Sequence, residues 1–305
     1  MKTAGKCLLL GSVAAFSSVS VPAQENPVTT TSKDFERVAD KNAWLAGVNL
    51  GYVGGSSAKF QGQQAGRSDA FNINLNAGTR VKLNADWFLN LGLVSDNYYL
   101  GSVTGEPLPD DIHTLRFNTG VGCRWNEKWT FTAMFSPSLY RFEDVTGDDF
   151  GFSGGFVATY QQKPSLMWSF GIIGSSGDVP VLPIVGVRWL IDDHYTLEVG
   201  MPKTRLSYRF DSNWTVYGGL DVVGTTFRTS QDLGTKTGLP QYNHALGNYH
   251  DIRLGVGASY RLWHACHVEV ETGCSVYREI NYQDIKESID FKPAPYVRLG
   301  MSVLF

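Results

Sequence analysis

Apolar and polar residues alternate with period two along most of the chain. In FNINLNAGTRVKL (71–83), Phe71, Ile73, Leu75, Ala77, Val81 and Leu83 share one parity, and Asn72, Asn74, Asn76, Arg80 and Lys82 the other. LRFNTGVGCRW (115–125) sets Leu115, Phe117, Val121 and Cys123 against Arg116, Asn118, Gly120, Gly122 and Arg124. TRLSYRF (204–210) sets Leu206, Tyr208 and Phe210 against Arg205, Ser207 and Arg209. IRLGVGASYRL (252–262) sets Ile252, Leu254, Val256, Ala258, Tyr260 and Leu262 against Arg253, Gly255, Gly257, Ser259 and Arg261. Successive side chains of a strand point to opposite faces, so each stretch has one apolar and one polar face. Soluble strands commonly run about 5–6 residues, whereas alternation sustained over about 10 residues is the signature of strands in a membrane barrel.

The pattern predicts about 14 strands, with 12–16 as bounds. They fall near 44–52, 71–83, 87–98, 113–125, 129–141, 150–162, 167–174, 181–191, 195–201, 203–210, 214–228, 249–262, 266–280 and 294–305. Short polar links at 84–86, 126–128, 191–194 and 211–213 contrast with long ones at 53–70, 99–112, 229–248 and 281–293. Two links on the long-loop side, near 175–180 and 200–203, are short. Short turns on one rim and long loops on the other are the habit of outer-membrane barrels. Trp44, Trp87, Trp125, Trp129, Trp168, Trp189, Trp214 and Trp263 all fall beside the short-turn rim, where an amphipathic indole prefers the headgroup level. The predicted class is therefore all-β, a closed antiparallel transmembrane β-barrel over 44–305.

The ends of the chain point the same way. Lys2 and Lys6, the apolar run Leu8 to Phe16 and the small-residue site Val21-Pro22-Ala23 lay out a signal peptide over 1–23. Residues 24–43 are polar and predict a periplasmic tail. The last ten residues, YVRLGMSVLF, keep Val297, Leu299, Met301, Val303 and Phe305 on one parity. This ending resembles the signal read by the outer-membrane assembly machinery. The expected surroundings are the lipid of a bacterial outer membrane, with that machinery as partner.

Composition adds exclusions. A net charge of −3 offers no basic surface for nucleic acid. Cys7 leaves with the signal, and Cys123, Cys266 and Cys274 are expected unpaired, with no metal-ligand spacing. With 13% aromatic residues, 33 Gly and 18% charged residues, the chain favours strands and turns over helices.

VLPIVGVRW (181–189) and MPKTRLSYRFDSNWTVYGGLDVVGTTFR (201–228) resemble the core of a bacterial outer-membrane barrel family, the domain of unknown function 6268. The similarity is clearest over roughly 180–262 and extends loosely to Phe305; the N-terminal half departs more. The resemblance implies a membrane barrel and no activity.

On this parity the lumen is lined by Asn72, Asn74, Asn76, Arg80, Arg116, Asn118, Arg124, Arg188, Arg205, Arg209, Arg253, Arg261 and Arg298, with Glu198, Asp221, Glu269 and Glu271 as acids. These residues permit two readings: a salt-bridged filling, or a polar channel whose surplus of arginines favours anions. Inward glycines leave space, and the acids are too few to pair every arginine, so a passive or selective pore for small polar or anionic solutes is preferred. A sealed structural barrel, or one that binds through its loops 102–111 and 229–243, is the alternative. Those loops are read as polar and mobile. A lipid-modifying enzyme is least expected: no G-x-S-x-G elbow or zinc motif occurs, and His244 and His250, beside Asp251, are read as solvated loop residues. No catalytic residue, metal or cofactor is assigned.

Overall fold

The structure, a computed structural model, describes residues 43–304 apart from 102, 104, 105, 177–180 and 264. The expected signal peptide, tail and Phe305 side chain lie outside the described residues. Among those described, the chain is a single antiparallel sheet closed on itself. The strands are β1 Ala43–Phe60, β2 Gln63–Lys82, β3 Trp87–Leu100, β4 Asp111–Arg124, β5 Trp129–Leu139, β6 Phe150–Lys163, β7 Leu166–Ser175, β8 Leu182–Leu190, β9 Tyr195–Val199, β10 Lys203–Arg209, β11 Trp214–Arg228, β12 Leu246–Trp263, β13 Cys266–Tyr282, β14 Glu287–Phe291 and β15 Ala294–Leu304. Each pairs with its neighbour, and β15 pairs with β1 to close the ring. The short strand β14 and β15 share the neighbours β13 and β1 and are one wall strand broken at Lys292-Pro293, so the barrel has 14 staves.

Alternation sorts the faces as the medium requires. Leu75, Phe117, Leu206 and Leu254 are exposed on the outside, whereas Arg116, Arg205 and Arg253 are almost wholly buried inside. An arginine on the lipid face near the bilayer midplane would cost roughly 2–4 kcal/mol. Four turns of the short rim use one device. Asn84, Asn126, Asp192 and Asp211 each accept, at one Oδ1, hydrogen bonds of 2.7–2.9 Å from the backbone N–H groups two and three residues on. The residue three places on is Trp87, Trp129, Tyr195 or Trp214, so the turn also sets an aromatic at the headgroup level. At Asp192 and Asp211 these bonds hold the carboxyl below its ordinary range.

The structure corrects two expected loops. Residues 53–70 are mostly strand, with β1 and β2 continuing to a tight turn at Gln61-Gly62, and 281–293 contain the end of β13 and β14. The reason is a belt of irregularities at one height. The inward parity of β1 changes between Val53 and Ser56, that of β13 at Val276, and that of the last stave across Lys292-Pro293. A bulge adds one residue and flips every side chain beyond it. Alternation read along the sequence therefore stops there, although pairing does not.

The wall is uneven in height. β1, β2, β12 and β13 hold 18, 20, 18 and 17 residues, β9 and β10 only 5 and 7. Beyond the short strands the upper part of β11 meets the opposite wall. Thr225 and Thr114 of β4 lie 3.0 Å apart between hydroxyls, and Arg228 N–H donates to the Tyr140 carbonyl at 3.2 Å. The barrel is thus pinched between β4–β5 and β11.

Candidate functional site in the barrel interior

The interior has three levels. At the short-turn end, Arg80, Lys82, Arg124, Arg209 and Arg261 occupy inward positions, and Arg188 faces Glu198 at 3.2 Å. Arg80 donates from Nε to Asn90 at 2.9 Å and stacks over the Phe88 ring at 4.3 Å. Among the described residues, the acids nearest this level on the inward parity are Glu198, opposite Arg205, and Glu269, in the register row of Arg209, so cations outnumber acids at the inner end.

The middle level is a lattice of ion pairs against the β10–β15 wall. Glu271 accepts from Arg205 at 3.0 Å, Arg298 at 2.6 Å, Tyr217 at 2.8 Å and Tyr296 at 2.5 Å. Glu269 accepts from Arg298 and from Arg205 at 3.4 Å, and at 2.6 Å it shares the single Tyr217 hydroxyl proton with Glu271. Asp221 stands 3.7 Å from Arg298 and 3.9 Å from Lys203. Asp251 accepts from Arg253 Nε at 2.8 Å and from Ser275 at 2.6 Å. On the β1–β4 wall, Asn74 accepts from Asn49 and Asn76 and donates to Asp96 at 2.6 Å, and Asp96 lies 3.9 Å from Arg116. Asn72 packs against Gly51, and Asn118 against Gly92.

This level overturns two expectations. The mid-lumen arginines are paired: Asp96 and Asp251 supply acids that the sequence reading did not count. Both are legible by parity, Asp251 two residues before Arg253 and Asp96 on the parity opposite Leu89, Leu91 and Leu93. The inward glycines are not empty space either. A Cβ on Gly255 would lie 2.1 Å from the Tyr296 hydroxyl, and one on Gly257 2.4 Å from the Tyr217 ring. These glycines let the rings lie flat on the wall and reach Glu271. Gly122 likewise receives Phe88.

The outer level is a packed apolar core. Val53, Phe60, Tyr98, Phe227, Tyr249, Ile280, Tyr282 and Ile289 fill the mouth together with Leu108 and Tyr242 from the loops. Tyr242 is 0% exposed and meets Tyr282 edge-on at 4.9 Å between ring centroids. Its hydroxyl donates to Glu287, and Tyr282 donates to the Pro107 carbonyl. The segment 229–243, expected as a mobile loop, is folded: it carries a helical turn Leu233–Thr237 and enters the mouth. Nor are the histidines solvated. His250 lies on β12 at 2% exposure, and His244 bonds Asp149 at 3.0 Å. Burial pushes the Asp149 carboxyl up, but hydrogen bonds from Thr146 and His244 outweigh it and hold it below the ordinary value. Arg228 ties the same two loops by donating to the Asp148 and His244 carbonyls at 2.6 and 3.0 Å. Cys123, Cys266 and Cys274 are free thiols.

A model of the domain of unknown function DUF6268 matches residues 101–305. No curated protein matches the sequence. Among solved structures, the chain is similar to a FadL homologue of Pseudomonas aeruginosa at 12% identity and a TM-score of 0.46, covering 93% of each chain. It is similar to the toluene transporter TodX of Pseudomonas putida at 11% identity and a TM-score of 0.41, covering 97% of this chain and 96% of that one. For the NanC porin the values are 9% identity and 0.37, over 85% and 98%.

Proposed function

The chain belongs to the DUF6268 family, whose name assigns no activity, and we propose that it is an outer-membrane pore for small polar or anionic solutes, closed at its outer end in this conformation. The observation that carries this reading is the cationic inner end. Arg80, Lys82, Arg124, Arg209 and Arg261 face inward where acids are scarce, in a low-dielectric wall that focuses their field. A filling evolved only for rigidity has no use for such an excess, since like charges repel. The outer core, the pinch and the Arg228 ties then act as the closure. The signal-like start and the terminal aromatic strand support insertion into a bacterial outer membrane by its assembly machinery.

A second reading, a sealed barrel that presents its outer loops, is favoured by the paired mid-lumen and the packed mouth. Planar-bilayer recordings separate the two. The wild-type protein is compared with a variant in which 233–242 is replaced by a Gly-Ser linker. The pore reading expects rare or small steps from the wild type and large, anion-selective steps from the variant. A silent variant that still shows heat-modifiable migration rejects the pore and leaves the sealed barrel. Cation-selective steps keep the pore but reject the role of the arginines.

A further inference from the structure

On the outer wall two cross-strand rows line a shallow, open groove of about 600 Å³. One row runs Leu206, Gly218, Val256 and Thr272, the other Tyr208, Val216, Ala258 and Val270, each member paired in register with the next. Elsewhere the outer face carries large side chains such as Phe117, Phe135 and Phe156. Here Gly218 and Ala258 leave backbone as the floor, between the exposed flanks Leu206 and Val256. Gly218 lies four residues along β11 from Trp214 of the aromatic girdle, roughly 13 Å up the strand, hence at hydrocarbon depth. At the girdle end the groove meets an aromatic collar: Tyr208 stacks on His194 at 5.6 Å and meets Tyr195 at 4.8 Å, and His194 Nδ1 is fixed by the Arg209 carbonyl at 2.8 Å.

The geometry points to a site that retains one acyl chain of a glycerophospholipid from the leaflet at the short-turn rim. The floor and flanks are apolar, which excludes a polar ligand, and the surrounding medium at that depth is acyl chain. A slot floored by backbone on a convex wall suits a flexible alkyl chain, which can follow its floor, better than a second barrel, which would reach that floor only by inserting a side chain. The collar of Tyr195, Tyr208 and His194 stands where the chain joins its polar head, the level that such side chains prefer.

The test is native mass spectrometry of the full-length barrel in detergent after exposure to dioleoyl phosphatidylethanolamine, for the wild type, Gly218→Leu and Ala258→Leu. A Cβ at Gly218 meets Val256 at 3.6 Å, an ordinary contact, so Gly218→Leu fills the slot without forcing the wall. Heat-modifiable migration verifies that each variant folds, and Ala258→Leu serves if Gly218→Leu does not. The expected result is one retained phospholipid on the wild type that falls to background in a folded variant. A wild type without retained lipid, or variants that hold it equally, overturns the site. A wild-type dimer that Gly218→Leu dissociates also overturns it, making the groove an interface between copies.

Discussion

The outer and inner ends of the lumen are built from the same staves and differ in what those staves turn inward. Above the bulges most inward positions are apolar or aromatic, Phe60, Tyr98, Phe227, Tyr249, Ile280 and Tyr282 packing on one another and on Tyr242 as in a soluble core, and the buried Arg278 among them is held by Ser56, the Ser68 carbonyl and the Phe291 ring. Below them charged, amide and glycine positions dominate the inward face, with the rings of Phe88, Tyr217 and Tyr296 laid against the wall. The membrane demands only that the outer face be apolar; it is silent about the inner one. An apolar inward face can be satisfied only by collapse, so the outer end closes and draws its loops in. A charged inward face is satisfied by pairing or by water, so the inner end can remain wet.

The largest expected effects test this division directly. Tyr242→Ala removes a wholly buried ring from the mouth and is expected to cost about 3–5 kcal/mol, read as a lower urea midpoint in vesicles. Loss below about 1 kcal/mol would show that the mouth is not a core. Glu271→Gln, at the middle level, strips the charge that meets Arg205 and Arg298 and is expected to cost about 3–5 kcal/mol by leaving them short of a partner.

At the inner end the expectation reverses, with a large change in selectivity and little in stability. Arg80→Glu combined with Arg124→Glu in the variant whose residues 233–242 are a Gly-Ser linker should abolish or invert anion preference, read as the reversal potential in a salt gradient. The urea midpoint should correspond to a change within about 0.5 kcal/mol per substitution. Unchanged selectivity would remove the inner arginines from the pore.

The loop ties supply a pH test of the outer end. The carboxyl of Asp149 is held below its ordinary value in the folded protein, so its contribution is fully present above the unfolded carboxylate pKa, about 4, and is lost as pH falls through the lower folded value. Hydrogen-exchange protection factors, taken against the intrinsic rate at each pH, should stay constant in 140–149 and 243–246 from neutral pH to about 4 and fall below it. Asp149→Asn should show the faster exchange already at neutral pH. The smallest effect belongs to the short rim. Asn126→Ala removes two hydrogen bonds at an exposed turn and should cost under about 1 kcal/mol, with all three lumen levels unaffected.

What the sequence by itself determined follows from the two-residue period and the solvent on each side. Lipid forces Leu75, Phe117, Leu206 and Leu254 outward, so Arg116, Arg205 and Arg253 must turn in; the number of staves and the tryptophan rim follow from the same local rule. Tertiary structure decided what the inward residues do. Whether Gly255 is a gap or a seat for Tyr296 depends on a stave 41 positions away in the chain, as the pairing of Arg205 with Glu271 depends on one 66 away. Period two carries no record of what lies across a lumen. It also fails at a bulge, which is why Val53–Ser56 and Lys292-Pro293 read as the ends of strands when the wall in fact continues. The pinch of Thr114 on Thr225 is the extreme case: opposite staves meet because β9 and β10 are too short to hold them apart at that height, and only the closed ring sets the two side by side.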